Sequence, residues 1–210
     1  EFVVTPYAYS LANVYSDTEA VEQLQSQQAQ IKQLLGVEST TACLTELLYS
    51  DEIAIQLHKL GFKAVMTEGA KHILSWKSPN YVYSSSAAPK LKVLLRNATV
   101  SDELAFHFSD PTWHNFPMDA EKFATNLASL PAEEQVTNIW VGAETFGVRQ
   151  VAETGIFDFI KALPYFALEQ DLSFMTPSEV AKKFPASDAI VTSYPLTWAG
   201  EAKDLSTYNG

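Results

Sequence analysis

Apolar runs separated by stretches of helical spacing recur along this chain, and that alternation constrains its fold more than any other feature. Five segments read as strands, residues 1–5, 40–45, 62–66, 91–95 and 139–141, with 189–192 as a candidate last strand. Strands alternating with helices at this spacing specify a parallel α/β arrangement. Five strands with crossovers are too few to close an eight-stranded barrel, so the sheet is expected to be open or part of a barrel. No repeat, linker or domain break interrupts the pattern.

The helices carry their own punctuation. Ser16-Asp17 offers an N-cap with Glu19 in the first turn. Val21, Leu24, Ile31, Leu34 and Leu35 follow at helical spacing, and Gly36 sits where a C-terminal cap belongs. Residues 51–60 form a second helix with Ile53, Leu57 and Leu60 inward, stopped by Gly61. Residues 119–130 form another, residues 155–163 one stopped by Pro164, and Thr176-Pro177 opens the last. Residues 76–86 are aromatic, polar and turn-rich, and read as a non-core segment.

Composition narrows the function. The 210 residues are 47% hydrophobic, enough for one sizeable domain with a real core. A net charge of −11 argues against a nucleic-acid partner, which needs a basic face. The single cysteine, Cys43, excludes an internal disulfide and a cysteine-based zinc site, and reads as a small buried hydrophobe. His58 reads as a surface residue. No His/Asp/Glu cluster has metal-ligand spacing, and no cofactor signature stands out. No apolar run approaches the ~18 residues of a membrane span. Asn97-Ala98-Thr99 fits a glycosylation acceptor pattern. The chain begins at Glu1 rather than methionine, as a processed protein or a piece of a longer one would.

The stretch TNIWVGAETFGVRQ, residues 137–150, is where chemistry is expected. Its apolar run reads as a buried parallel strand that breaks at Gly142 into a small-residue turn carrying Glu144. In α/β folds, function collects just past the carboxyl ends of strands. Strand alternation puts Gly142 and Glu144 on one side, about 7 Å apart. That side offers one carboxylate and one glycine.

With the strands placed, the turns become recognisable. The run TELLYSDEIAIQLHKLGFKAVMTEGAKHILSWKSPNYVY, residues 45–83, resembles glycoside hydrolase family 57, the α-amylase and glucanotransferase family. Residues 91–97, 101–109 and the ETFG at 144–147 echo further family segments, as do TGIFDFIKALP, TPSEVA and PLTWAGEAKDLS. The resemblance runs in order along nearly the whole chain. It implies an incomplete seven-stranded (β/α) barrel, of which residues 1–210 would be strands three to seven within a longer chain. It also favours an intracellular protein.

The family's retaining chemistry needs two carboxyl groups about 5 Å apart. The resemblance puts the nucleophile at Glu46, in TELLY, and the general acid at the position of Gly142. A glycine can neither protonate a leaving oxygen nor activate water. Other departures fall at strand ends too. Ala42-Cys43-Leu44 stands where the family has Phe-Arg-Asn, Ala143 replaces a tyrosine, and Arg149 a histidine. Thr5-Pro6-Tyr7-Ala8-Tyr9 stands for a Glu-Thr-Tyr-Tyr-His-like segment.

Glu144 is the one carboxylate near enough in sequence to substitute, although the family already carries it beside the aspartate. Its structural alternative is a turn residue satisfying backbone amides. His72, Trp76 and Trp113 lie in loops that would border a cleft, where indole faces suit sugar rings; packing against the barrel rim is the competing role. The first expectation is therefore a degenerate, non-catalytic protein that binds α-glucan or maltooligosaccharide or acts as a structural or interaction subunit with a protein partner. The alternative is an active retaining α-glucan hydrolase or 4-α-glucanotransferase, with Glu46 as nucleophile and its acid from Glu144 or elsewhere.

Overall fold

The computed structural model describes residues 1–208. Along the chain the elements run α1 (Ala12–Tyr15), α2 (Asp17–Leu35), β1 (Thr41–Cys43), α3 (Asp51–Lys59), β2 (Ala64–Glu68), α4 (Lys71–Leu74), β3 (Val82–Ser85), β4 (Lys92–Arg96), α5 (Ala98–Asp102), α6 (Ala120–Ala128), α7 (Ile156–Glu169), α8 (Pro177–Lys183) and β5 (Asp188–Ile190). They fall into two units, one made of Glu1–Arg96 and Thr176–Gly210, the other of Asn97–Met175.

The first unit is built on a five-stranded sheet of order β1-β2-β4-β3-β5. The β1, β2 and β4 strands are mutually parallel, with Cys43 opposite Met66 and Glu68 opposite Arg96. Their carboxyl ends therefore lie along one edge. The β3 strand runs antiparallel to β4 and parallel to β5. Val65, Val93 and Leu95 from the sheet pack with Leu24 and Ile31 of α2 and with Ile53 and Leu57 of α3.

The caps explain the helix ends. Ser16 accepts a hydrogen bond from the Glu19 amide at 3.3 Å, and Gly36 closes α2 at φ 69°, a left-handed conformation that glycine adopts without a Cβ penalty. Ser50 caps α3 by accepting from Ile53. Thr176 and Glu179 form a reciprocal capping box on α8, with Pro177 in its first turn.

The second unit packs α6 against α7. Phe108 and Phe123 each meet Phe159 edge-on, at centroid distances of 5.2 and 5.5 Å. Leu104, Met118 and Ile156 complete this core.

Several elements depart from the sequence reading. Residues 82–85, expected outside the core, are β3, with Val82 and Ser85 fully buried between two neighbouring strands. Residues 139–141, expected to be a buried strand, join no strand and are half-buried. Their surroundings bond elsewhere, Asn138 accepting from the Asn97 amide and the Trp140 amide donating to Ser101 Oγ. Residues 1–5 contribute a single bridge, from Val4 to Ala42. Pro164 does not stop its helix; α7 runs on to Glu169, because the ring forfeits one amide bond while Phe159 and Ala167 stay buried on either side of it. Leu34 and Leu35, expected inward, are exposed in the last turn of α2, whose buried stripe is Ala20, Leu24 and Ile31. The sheet is parallel apart from the β3–β4 pair.

Candidate functional site

Glu46 lies three residues past the end of β1, in a tight turn at Thr45–Leu47. Its backbone is left-handed, at φ 58° and ψ 26°, and Leu47 follows at φ 56°. Residues with side chains pay for this region, about 1–3 kcal/mol each, and hold it only where surrounding contacts fix it. Those contacts are present. Leu47 donates to the Leu44 carbonyl at 3.0 Å, and Thr67 Oγ1 of β2 donates to the Leu47 carbonyl at 2.8 Å.

The Glu46 carboxylate is met by two distant residues of the same unit. Trp198 Nε1 donates to Glu46 Oε2 at 2.7 Å, and the Tyr208 hydroxyl donates to the same oxygen at 3.0 Å. The Trp198 amide also donates to the Glu46 carbonyl, at 3.0 Å. Burial, then the Glu46 hydrogen bond and charge, push the Tyr208 phenol up to about 12.

Beside Trp198 lies an ionic cluster at the ends of β2 and β4. Glu68 Oε2 accepts from Arg96 at 3.1 Å, both side chains buried, and the Lys203 ammonium stands 3.9 Å from the same oxygen. Glu68 Oε1 accepts from the Gly69 amide at 2.8 Å. Burial dominates over these partners and raises the Glu68 carboxyl above its ordinary range. The Arg96 guanidinium lies 5.7 Å from the centre of the Trp198 ring. Lys203 Nζ donates to the Trp198 carbonyl at 2.9 Å. Gly69 has a steric reason: a Cβ there would run into the Arg96 carbonyl and Pro79.

In the second unit, Gly142 starts a 3-10 turn at Ala143–Thr145. The Glu144 carboxylate folds back over Gly142 so closely that a Cβ at 142 would overlap it. The two positions meet through the turn, not across the pleat of a strand, which corrects the separation expected from strand alternation. Glu144 Oε1 pairs with Arg149 at 3.4 Å, and the Glu144 carbonyl accepts from the Val148 and Arg149 amides.

The aromatic candidates occupy separate settings. Trp76 projects into solvent, 88% exposed. His72 stacks on Tyr194, with ring centres 5.8 Å apart. Trp113, in the second unit, has one face covered by His107 at 3.9 Å and meets His114 at 4.4 Å. Cys43 is buried, and burial pushes its thiol up to about 12. His58 is exposed. Asn97, buried, caps α5 by accepting from the Val100 amide. Among the described residues no group of three or more His, Cys, Asp or Glu side chains could hold a metal ion, and no helix is long and apolar enough to cross a membrane.

Sequence reasoning did not single out Glu68, Arg96, Trp198, Lys203 or Tyr208. Two signals for them existed. Glu68 and Arg96 are charged residues ending apolar strand runs, and Trp198 and Lys203 belong to the PLTWAGEAKDLS segment.

The strand-end carboxylate of Glu46, held by an indole and a phenol, thus sits on a mostly parallel sheet. Residues 1–193 match glycosyl hydrolase family 57, and the chain belongs to that family. It is 36% identical over 214 aligned positions to a Methanocaldococcus jannaschii protein described as "Putative alpha-amylase", covering all of this chain and 45% of that one. The chain thus spans under half the length of this relative. Two solved structures share its fold. The 4-alpha-glucanotransferase of Thermococcus litoralis has a TM-score of 0.73 at 16% identity, over 94% of this chain and 30% of that one. A GH57 branching enzyme of Thermococcus kodakaraensis, solved with glucose, has a TM-score of 0.76 at 14% identity, over 99% and 51%. The fold is that of the family's (β/α) barrel enzymes, of which this chain covers part.

Proposed function

We propose that this protein holds an α-glucan at the site around Glu46 without cleaving it. Its relatives are named for a glucanotransferase, a branching enzyme and an amylase, which supports a carbohydrate ligand. The observation that carries the non-catalytic half is the state of position 142. Retaining hydrolysis needs a second carboxyl group. Residue 142 is glycine, and the carboxylate lying over it, that of Glu144, is paired with Arg149. Glu46, accepting hydrogen bonds from Trp198 and Tyr208, then serves as an acceptor for sugar hydroxyls, with the neighbouring indole as an apolar surface.

One observation favours the alternative, an active retaining hydrolase or 4-α-glucanotransferase with Glu46 as nucleophile. The left-handed backbone at Glu46 is costly, and such strain collects at working sites. Reducing-end release from maltooligosaccharides separates the two readings. The native protein is expected to be silent and a Gly142→Asp variant to turn over. The obstacle a side chain at 142 meets is the end of the flexible Glu144 side chain. Turnover by the native protein, abolished in Glu46→Gln, would overturn the proposal.

A further inference from the structure

The cluster of Glu68, Arg96 and Lys203 has no part in that account, yet both of its cations reach Trp198. Glu68 is fully buried, and its carboxylate faces both cations. Each cation then holds a different part of Trp198. Arg96 lies against the indole face, and Lys203 Nζ donates to the main-chain carbonyl. Trp198 in turn bonds Glu46 twice, through its amide and through its indole N–H.

A buried ion pair seldom repays its desolvation relative to apolar residues, so its presence calls for a reason other than stability. The arrangement supplies one. An indole ring is free to turn about two side-chain torsions, and the hydrogen bond to Glu46 requires one setting of both. Arg96 fixes the ring plane, Lys203 fixes the backbone that carries it, and Glu68 fixes both cations. We infer that Glu68 and Arg96 are positioning residues: through Trp198 they aim the Glu46 carboxylate at the ligand. This rests on the reading of Glu46 as the ligand-binding group, although the linkage from Glu68 to Glu46 is a property of the free protein.

The test is therefore made first without ligand. The protein has four tryptophans, hence four indole N–H signals in a 15N-labelled sample. Trp198→Phe identifies the signal of Trp198, and Glu46→Gln shows where it moves when its acceptor loses its charge. In Glu68→Gln the Trp198 signal is expected to move most of the way to that position, while those of Trp76, Trp113 and Trp140 stay put. Should Glu68→Gln not fold, the Glu68→Gln/Arg96→Gln variant, which removes both members of the buried pair, also lacks the clamp and is expected to give the same shift. A Trp198 signal that stays in place, or a shift of all four signals together, would overturn the inference.

Maltooligosaccharide affinity is then measured on the same samples, and Glu68→Gln is expected to weaken it by roughly tenfold, about 1.4 kcal/mol. Unchanged affinity in a variant whose Trp198 signal has moved would overturn the inferred effect on the ligand. Absence of binding by the native protein, with the Trp198 shift present, would remove the glucan reading and leave the linkage standing.

Discussion

Trp198 holds Glu46 at two points, its amide on the Glu46 carbonyl at 3.0 Å and its indole Nε1 on the carboxylate at 2.7 Å. The main-chain bond ties down a left-handed backbone, and the indole bond sets the direction of the carboxylate. One residue thus fixes both the strained turn and the group it displays.

Replacing Trp198 by phenylalanine keeps an aromatic ring and removes the indole donor. A hydrogen bond to a charged group contributes about 1.5–3 kcal/mol when buried, and half-buried Glu46 places the loss near the lower end. The urea midpoint is expected to fall accordingly with the slope unchanged. An unaltered midpoint would show that the bond contributes nothing to the fold.

Tyr208 gives a prediction in pH. Its phenol, raised to about 12 by burial and by Glu46, is neutral in the folded protein where an unfolded tyrosine ionises near 10. The folded state therefore keeps the proton longer, and this contribution to stability is lost as pH rises from about 10 through about 12. In Glu46→Gln the charge goes but burial remains, so the Tyr208 pKa is expected to fall part of the way back. Titration of 13C-labelled tyrosine, assigned with Tyr208→Phe, reads this directly. An unchanged Tyr208 titration would contradict the Glu46 contact.

Cys43 is expected to be inert. With its thiol pushed up to about 12, only roughly one part in ten thousand is thiolate at pH 8. A thiol reagent should find no reactive group in the native protein and one after unfolding in urea. Rapid labelling of native protein would contradict the burial.

The helices were legible because their signals are local. Ser16 and Gly36 announced α2, and Thr176 with Pro177 announced α8, each within a few residues of the element it bounds. The β3 strand was hidden because VYSS buries serine as well as valine, which erases the apolar signature of a strand. Residues 139–141 failed in the opposite direction, three apolar residues being too few to tell a strand from a half-buried connecting segment. Glu46 was singled out by the family resemblance, with which its place after a strand agrees. Its partners Trp198 and Tyr208 stand 152 and 162 residues away, and no local pattern connects them. Glu68 and Arg96 meet because β2 and β4 pair in register across 28 residues. Such pairing is a property of the sheet, not of either segment.

Gly69 tests that sheet edge. A methyl group at 69 would press on the Arg96 carbonyl, and backbone cannot step aside as a side-chain end can. Gly69→Ala is expected to cost about 1–3 kcal/mol, as overpacking does. Thermal unfolding measures it, and a wild-type midpoint would show that the edge is loose.

The central claim, binding without cleavage, is tested most directly by one time course of proton NMR spectra on maltoheptaose mixed with the native protein. The account predicts that the anomeric signals broaden on mixing and that no new reducing-end signals grow afterwards. Growing reducing-end signals would contradict it by showing catalysis, and sharp, unchanged signals would contradict it by showing that no glucan is held.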